Sequence, residues 1–188
     1  MRHQVRKKLS LEDKFVVGNV ARLTTAKNQS FLLDILSELK KTTENAVLML
    51  VGDGPDKDSL IEKAKQLGIE NDIIWLGSQK EVVKFLCSMD CFVFPSLHEG
   101  LGISLVEAQA MGIPTLTSKD RVPEEVKMSE YLEFLSLDLD AKKWAEKISN
   151  IGLPLGGYTH DAVSQAGYNI TATVEKYSDF ILNNRNEN

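Results

Sequence analysis

One segment near the middle of the chain combines two glutamates, two glycines and the start of a predicted helix. Its sequence is EGLGISLVE, over residues 99–107. Gly100 and Gly102 allow the backbone to approach a ligand and to adopt conformations that are costly for other residues. The first helical amides, at Ile103 and Ser104, have no partners within the helix and lie at the positive end of its dipole. This part of the segment therefore predicts a phosphate site.

The two glutamates of this segment suit other parts of a ligand. Glu107 lies about one helical turn beyond the glycines, and a carboxylate there is a good acceptor for paired ribose hydroxyls. Glu99 precedes the helix, where it could accept hydrogen bonds from a sugar attached beyond the phosphates. The alternative is that Glu99 faces solvent and Glu107 only favours the start of the helix, since glycine loops before helices are common.

A pair of cations follows the first predicted strand. Arg22 and Lys27 lie five positions apart and would project from the carboxyl edge of a parallel sheet. A diphosphate at that edge could bind the planar guanidinium and the ammonium together. Basic residues in a loop are commonly just solvated, and this alternative stays open for each alone. Arg22 and Lys27, the free amides at the start of the helix and a carboxylate that accepts from hydroxyls are together the groups that bind a nucleoside diphosphate-sugar.

The elements that must position these groups alternate along the chain. Apolar runs predict strands, and amphipathic stretches predict helices. The expected strands are 15–20, 46–51, 73–76, 91–94, 114–117 and 131–135, and the expected helices are 29–41, 56–67, one capped by Ser78 and Glu81, 103–111, 140–148 and one within 168–184. Continuous apolar strands alternating with helices predict an α/β fold: a doubly wound, Rossmann-like parallel sheet of about six strands with helices on both faces. Such sheets bind ligands beyond the carboxyl ends of their strands.

Length, charge and composition disfavour several classes of protein and site. A length of 188 residues suits a single domain, and a net charge of −5 argues against broad nucleic-acid binding. No apolar run approaches the roughly 20 residues of a membrane span, which favours a cytoplasmic location. The two cysteines, Cys87 and Cys91, cannot assemble four metal ligands, so we expect core packing and no metal. The basic N-terminus is expected to be solvated, including Arg2, Arg6, Lys7 and Lys8.

An ordered set of segments resembles a known family. EGLGISLVE is similar to the Glu-x7-Glu motif of family 4 glycosyltransferases, which have the two-domain GT-B fold and generally retain anomeric configuration. FVFPS before it, AQAMGIP after it, and the earlier GNVARLTTAKN and VGDGP resemble the family's other landmarks in the same order. The resemblance covers residues 5–150 and is strongest to capsular and exopolysaccharide synthesis enzymes.

The resemblance implies roles for individual residues. Arg22 and Lys27 match the residues that neutralise the donor diphosphate, and Glu107 matches the ribose-binding glutamate. Glu99 matches the glutamate that contacts the donor sugar and is the catalytic candidate. The remaining substrate-binding residues are Gly100, Leu101, Gly102, Ile103 and Ser104. No cofactor or metal is implied, because protein cations would neutralise the leaving group.

Other loops match less closely. VGDGP at 51–55 and the loop at 76–77 resemble loops near the nucleobase. Many relatives have a glycine pair before a later Pro-Glu, whereas this chain has SKDRV before Pro123. The side chain of Arg121 therefore changes that loop.

The resemblance implies half of an enzyme. This chain would be the C-terminal donor-binding domain of a retaining transferase that moves sugar from a nucleotide-sugar, with UDP favoured, to a glycan or lipid-linked acceptor. Residues 1–13 resemble the end of an interdomain linker, and the helix within 168–184 is expected to pack on an N-terminal acceptor domain. The chain alone is expected to bind donor and transfer little sugar, and the whole enzyme could lie at the inner face of a membrane.

Other function classes stay open. The chain could be a noncatalytic nucleotide-binding module or part of a GT-B-type UDP-sugar epimerase. A dehydrogenase is disfavoured, because its G-x-G-x-x-G turn should follow the first strand, where this chain has GNVARLTT. His98 is a weak candidate for a base, since a loop histidine with no evident partner is commonly exposed or structural.

Overall fold

A computed structural model describes residues 1–151, and a six-stranded sheet forms its centre. The strands are β1 (Phe15–Val20), β2 (Ala46–Val51), β3 (Ile73–Gly77), β4 (Cys91–Phe94), β5 (Thr115–Ser118) and β6 (Leu132–Leu135). The helices are α1 (Arg2–Lys8), α2 (Gln29–Leu39), α3 (Lys57–Gln66), α4 (Val83–Leu86), α5 (Ile103–Ala110) and α6 (Ala141–Ser149). The helix predicted within 168–184 lies outside the described residues.

The strand order is β3-β2-β1-β4-β5-β6, and every neighbouring pair is parallel. The chain builds outward from β1 to β3 and then returns to add β4 on the other side of β1. This arrangement confirms the predicted doubly wound, Rossmann-like sheet. It also places a topological switch point between β1 and β4, where open α/β sheets bind ligands.

Two apolar clusters cover the two faces of the sheet. One packs β-strand side chains against α2, α3 and α6, with Leu36 and the buried ring of Trp144 at its centre. The other packs the opposite face against α4 and α5, with Phe92 and Leu105 fully buried. Helices therefore lie on both faces, as the alternating pattern predicts.

The prediction of a solvated N-terminal segment was wrong for two of its four basic residues. Arg6 is only 9% exposed and pairs with Asp90 at 3.0 Å, and Arg2 also pairs with Asp90. Asp90 accepts a further hydrogen bond from the Val16 amide at 2.7 Å. A buried carboxylate needs such partners, and the four-residue spacing puts both arginines on one face of α1. Lys7 and Lys8 are exposed, as predicted.

The two predicted helix caps had different outcomes. The capping box of Ser78 and Glu81 was wrong: α4 begins at Val83 without a side-chain cap, and Glu81 pairs with Lys84 at 3.0 Å instead. Asp140 does cap α6, because its carboxylate accepts from the Lys143 amide at 2.9 Å.

The two cysteines were expected to pack in the core. Cys91 is buried, and burial followed by the charge of the neighbouring Asp90 raises the pKa of its thiol, which fits the predicted core role. Cys87 is half-buried, and neither cysteine forms a disulfide.

Within residues 1–151, no helix is both long enough and apolar enough to cross a membrane.

Candidate functional site

A crevice of about 350 Å³ opens at the carboxyl edge of the sheet, beside the ends of β1 and β4. It is lined by Val20, Ala21, Lys27, Phe94, Glu99, Leu101, Gly102, Ile103 and Ser104. Most of the predicted site residues thus meet in one place, at the switch point. Arg22, Gly100 and Glu107 lie outside this lining.

At the switch point β1 and β4 pair only briefly. Their register covers Val17 with Cys91 and Gly18 with Phe92. The next link is a side-chain bond, from the amide nitrogen of Asn19 to the Val93 carbonyl at 2.8 Å. Past that bond the two chains turn into different loops, and the crevice lies between them.

Lys27 and Glu99 meet across the crevice as an ion pair. Their side chains are 22% and 13% exposed, so the pair is largely shielded from solvent. The Lys27 ammonium also lies 5.5 Å from the centre of the Phe94 ring, within the range of a cation–π contact. The other oxygen of Glu99 accepts from the Gly100 amide at 3.2 Å. Sequence reasoning assigned these two residues to one ligand but did not predict that they pair with each other.

The start of α5 has the geometry of an anion site. Gly102 has φ of 69°, and a Cβ there would come within 3.0 Å of Leu105 and 3.2 Å of the Glu99 side chain. The conformation therefore favours glycine, and a Cβ would in addition force small shifts of these two side chains. Within the described range, no side chain caps this helix. The amides of Ile103 and Ser104, two residues that line the crevice, thus have no partner within the helix.

Gly100 differs from Gly102. It does not occupy the left-handed region, and a Cβ there would meet nothing within 4 Å. The predicted conformational need for glycine therefore applies to Gly102 and not to Gly100. A role for Gly100 in close approach to a ligand stays a prediction.

Arg22 is exposed at the rim, on a loop that other segments hold in place. Its carbonyl accepts from the Gln29 side chain at 3.0 Å. A Cβ at Gly52 would lie 1.9 Å from the Ala21 carbonyl oxygen, so this glycine of VGDGP lets two loops pack together. The nucleobase role predicted for VGDGP stays a prediction.

Glu107 lies on α5 and is half-buried. Desolvation raises the pKa of its carboxyl above the ordinary value. Partial burial of an ionised carboxylate is unfavourable. Carboxyl groups with raised pKa values occur often at binding sites, but they also occur in ion-pair networks. Its predicted contact with ribose stays a prediction.

Sequence reasoning missed two residues. Phe94 was assigned only to a strand, yet its ring lies beside the Lys27 ammonium. Ser96 is fully buried, and its hydroxyl contacts two loop carbonyls. A serine directly after a strand-ending proline and just before a glycine loop was the available signal.

The loop carrying Arg121 supports Glu99 through its backbone. The Glu99 amide donates to the Arg121 carbonyl at 3.1 Å, so this contact does not depend on the arginine side chain.

His98 is exposed, which agrees with its interpretation as an exposed loop histidine and not a base. In the part of the chain that the structure describes, no group of three or more His, Cys, Asp or Glu residues could hold a metal ion.

Comparison with known proteins places this geometry in a family. The family profile for glycosyl transferases group 1 matches residues 1–151. EpsF of Bacillus subtilis, named as a glycosyltransferase, is 36% identical over 166 residues, which cover 86% of this chain and 43% of EpsF. LpsD of Rhizobium meliloti, named as a lipopolysaccharide core biosynthesis glycosyltransferase, is 34% identical over 118 residues, or 63% of this chain and 33% of LpsD. This chain therefore spans less than half the length of either relative.

Solved structures agree on the fold. The crystal structure of HepE from Anabaena in complex with UDP-glucose superposes with a TM-score of 0.66 at 25% identity, covering 78% of this chain and 41% of HepE. The family match extends over the whole described sheet, its switch point and the crevice. The chain accordingly belongs to the glycosyl transferases group 1 family and has the Rossmann-like fold of a GT-B domain.

Proposed function

We propose that this chain is the donor-binding domain of a retaining glycosyltransferase of polysaccharide synthesis. It would bind a UDP-sugar, and the whole enzyme would move the sugar to a glycan or lipid-linked acceptor. The observation that carries the proposal is the crevice at the switch point, where Lys27, Glu99 and the start of α5 converge. The UDP-glucose complex of HepE supports the donor class, and the name of LpsD supports the acceptor class.

In this proposal the diphosphate binds between Lys27 and the amides of Ile103 and Ser104. Phosphate and the Glu99 carboxylate are both anionic partners for one ammonium, so donor binding exchanges one for the other. The Phe94 ring keeps the ammonium in the crevice during the exchange. Arg22 adds a guanidinium from the rim, where it has room to reach a phosphate.

The displaced Glu99 carboxylate is then free to accept hydrogen bonds from the sugar hydroxyls. Glu107 would accept bonds from the ribose, one helical turn along α5. Together these assignments place the phosphates at the centre of the site, with the two glutamates on either side.

Sugar transfer breaks the bond between the anomeric carbon and the phosphate oxygen. The acceptor hydroxyl attacks from the same face, its oxygen bonds to the anomeric carbon, and its proton passes to the departing phosphate oxygen. Lys27, Arg22 and the α5 amides stabilise the charge that grows on the diphosphate, by preorganised electrostatics. This mechanism uses protein cations and requires no metal.

The acceptor would bind to a second, N-terminal domain, and we place the enzyme in the cytoplasm, at the inner face of a membrane. A noncatalytic nucleotide-binding module would share the crevice but not the transfer. We therefore propose two measurements: binding of UDP-glucose to this chain, and sugar transfer by the whole enzyme, with the anomeric configuration of the product read by NMR.

The two measurements separate the alternatives. We expect saturable UDP-glucose binding by the chain, negligible transfer by the chain alone and a retained configuration in the product of the whole enzyme. Binding without transfer by the whole enzyme would favour the noncatalytic module. Robust transfer by the isolated chain would contradict the assignment to a donor domain, and an inverted product would contradict retention.

A further inference from the structure

The hydroxyl of Ser96 joins the two loops that carry the crevice. Its oxygen lies 2.8 Å from the carbonyl oxygen of Ala26 and 2.9 Å from that of His98. A hydroxyl has a single hydrogen, so the two carbonyls share one proton. Ser96 is completely buried, and water does not compete for these bonds.

The two carbonyls belong to the residues directly before the ion pair. Ala26 precedes Lys27, and His98 precedes Glu99. The Leu97 amide donates to the same Ala26 carbonyl at 2.8 Å. Ser96 and its neighbour therefore fix the backbone on each side of the crevice, one residue away from the groups that would meet the donor.

The strands themselves cannot set this spacing. The β1–β4 ladder ends at the pair Gly18 and Phe92, and Asn19 makes the last link between the strands. Past that point no strand ladder joins the two loops, so their spacing depends on the bonds that the Leu97 amide and the Ser96 hydroxyl make to the Ala26 carbonyl.

Ser96 is anchored from its other side as well. Its carbonyl accepts a hydrogen bond from the hydroxyl of Ser118, which ends β5 and is itself fully buried. The connection thus runs from β5 through Ser96 to the loop after β1, across the whole switch point.

We infer that Ser96 is a positioning residue of the donor site: it holds Lys27 and Glu99 at the spacing that a diphosphate-sugar requires, without touching the donor. This inference rests on the function proposed for the crevice. Without the hydroxyl, the Ala26 carbonyl keeps only the Leu97 amide, and the two loops can separate.

The test is UDP affinity of the 188-residue chain with Ser96→Ala, alone and combined with Lys27→Ala. Ser96→Ala is expected to weaken UDP binding about tenfold, because the two loops are then less preorganised and part of the binding free energy is needed to order them. Thr115→Val is the matched control: it removes another buried hydroxyl, which donates to the nearby Ile113 carbonyl at 2.8 Å at the amino end of β5 and joins no crevice loops. The control should change UDP affinity less than about twofold.

The combined variant separates positioning from general damage. If Ser96 acts through Lys27, the effect of Lys27→Ala shrinks in the Ser96→Ala background and stays full in the Thr115→Val background. Exchange of the Leu97 amide, measured by NMR without nucleotide, should quicken at least about tenfold in Ser96→Ala alone. This second measurement does not depend on UDP binding.

Several results would overturn the inference. One is an unchanged UDP affinity in Ser96→Ala. Another is an equal loss of UDP affinity in Thr115→Val, with the effect of Lys27→Ala unchanged in both backgrounds. If Ser96→Ala does not fold, Ser118→Ala tests the same connection and should weaken UDP binding about threefold; unchanged affinity there would also overturn it. Failure of the wild-type chain to bind UDP would instead contradict the proposed function, and unchanged Leu97 exchange would contradict the positioning role separately.

Discussion

The ammonium of Lys27 and the carboxylate of Glu99 form an ion pair across the crevice between β1 and β4, although the residues lie 72 positions apart in the sequence. The pair joins the loops on the two sides of the topological switch point. It also ties the residue proposed to bind phosphate to the residue proposed to bind sugar. In the proposed function, Glu99 therefore competes with the donor diphosphate for the Lys27 ammonium.

Removing this competitor should tighten binding of the nucleotide without sugar. Glu99→Gln keeps the size of the side chain and removes its charge, so we expect UDP affinity to rise about fivefold, the scale of a part-exposed ion pair. The gain should be smaller for UDP-glucose, because Glu99 then also loses its contacts to the sugar. Isothermal titration calorimetry with both ligands measures the two changes.

Glu38→Gln is the control for that experiment, since Glu38 also pairs with a lysine but lies in the last turn of α2, which leads to the amino edge of the sheet. Its UDP affinity should match that of the wild type. Weaker UDP binding by Glu99→Gln would show that Glu99 assists the phosphate site and does not compete for it.

Arg22 should contribute to diphosphate binding in a salt-dependent manner. It is exposed at the rim, so its attraction for phosphate is screened as ionic strength increases. We expect Arg22→Ala to weaken UDP binding about tenfold at low salt and clearly less at about 1 M salt. Lys41→Ala, just beyond the C-terminal end of α2, removes an exposed cation that pairs with Glu38 and should leave affinity unchanged. Equal losses in both variants would indicate only a change in net charge.

Glu107 should make stability depend on pH. Burial raises the pKa of its carboxyl, so the folded chain holds this proton more tightly than the unfolded chain does. The ionised side chain therefore destabilises the fold above its folded-state pKa, and this penalty vanishes below the ordinary pKa of a glutamate. Glu107→Gln should raise the melting temperature by about 1–3 °C at neutral pH and not at about pH 3.5.

The same substitution should weaken UDP binding if Glu107 accepts bonds from ribose. Exposed Glu44 offers the control, and Glu44→Gln should change neither the melting temperature nor the affinity. An equal stabilisation by Glu107→Gln at both pH values would contradict the electrostatic explanation. Unchanged UDP affinity would contradict the ribose assignment.

Asp90 should stabilise the fold without affecting donor binding. It is almost fully buried at the amino end of β4, opposite the crevice, and it accepts from Arg2, Arg6 and the Val16 amide. Asp90→Ala leaves buried cationic and amide groups without partners, so the free energy of unfolding should fall by about 3–5 kcal/mol. Chemical denaturation measures the change.

The more exposed pair of Lys40 and Asp72 offers a comparison, since both side chains are 22% exposed. Asp72→Ala should cost less than about 1 kcal/mol. Under conditions in which they are folded, both variants should bind UDP with the affinity of the wild type. A loss of UDP affinity in folded Asp90→Ala would mean that the amino edge and the crevice are coupled.

The sheet could be predicted because its strands are local and apolar. The bounds of β1 and β2 agree with the expected ranges 15–20 and 46–51, since buried parallel strands are continuous apolar runs. The loops that carry Lys27 and Glu99 follow from the same logic, because the carboxyl ends of parallel strands meet at one edge.

Pairings between distant residues could not be predicted. Arg6 was expected in solvent because nothing near it in the sequence reveals Asp90, which lies 84 positions away. The box of Ser78 and Glu81 fits a local pattern, but Lys84 competes for the Glu81 carboxylate. The Lys27–Glu99 pair and the Ser96 connection likewise depend on which strands become neighbours, and that order is a property of the whole sheet.

Binding of a nucleoside diphosphate in the crevice is the property on which all the proposed residue roles depend. An NMR titration of the isotope-labelled chain with UDP tests it directly, through the backbone amides of the crevice. We predict that the largest shifts occur at Lys27, Gly102, Ile103 and Ser104, and that they saturate together with one dissociation constant. Unchanged signals at these amides, or shifts confined to another surface of the chain, would contradict the claim.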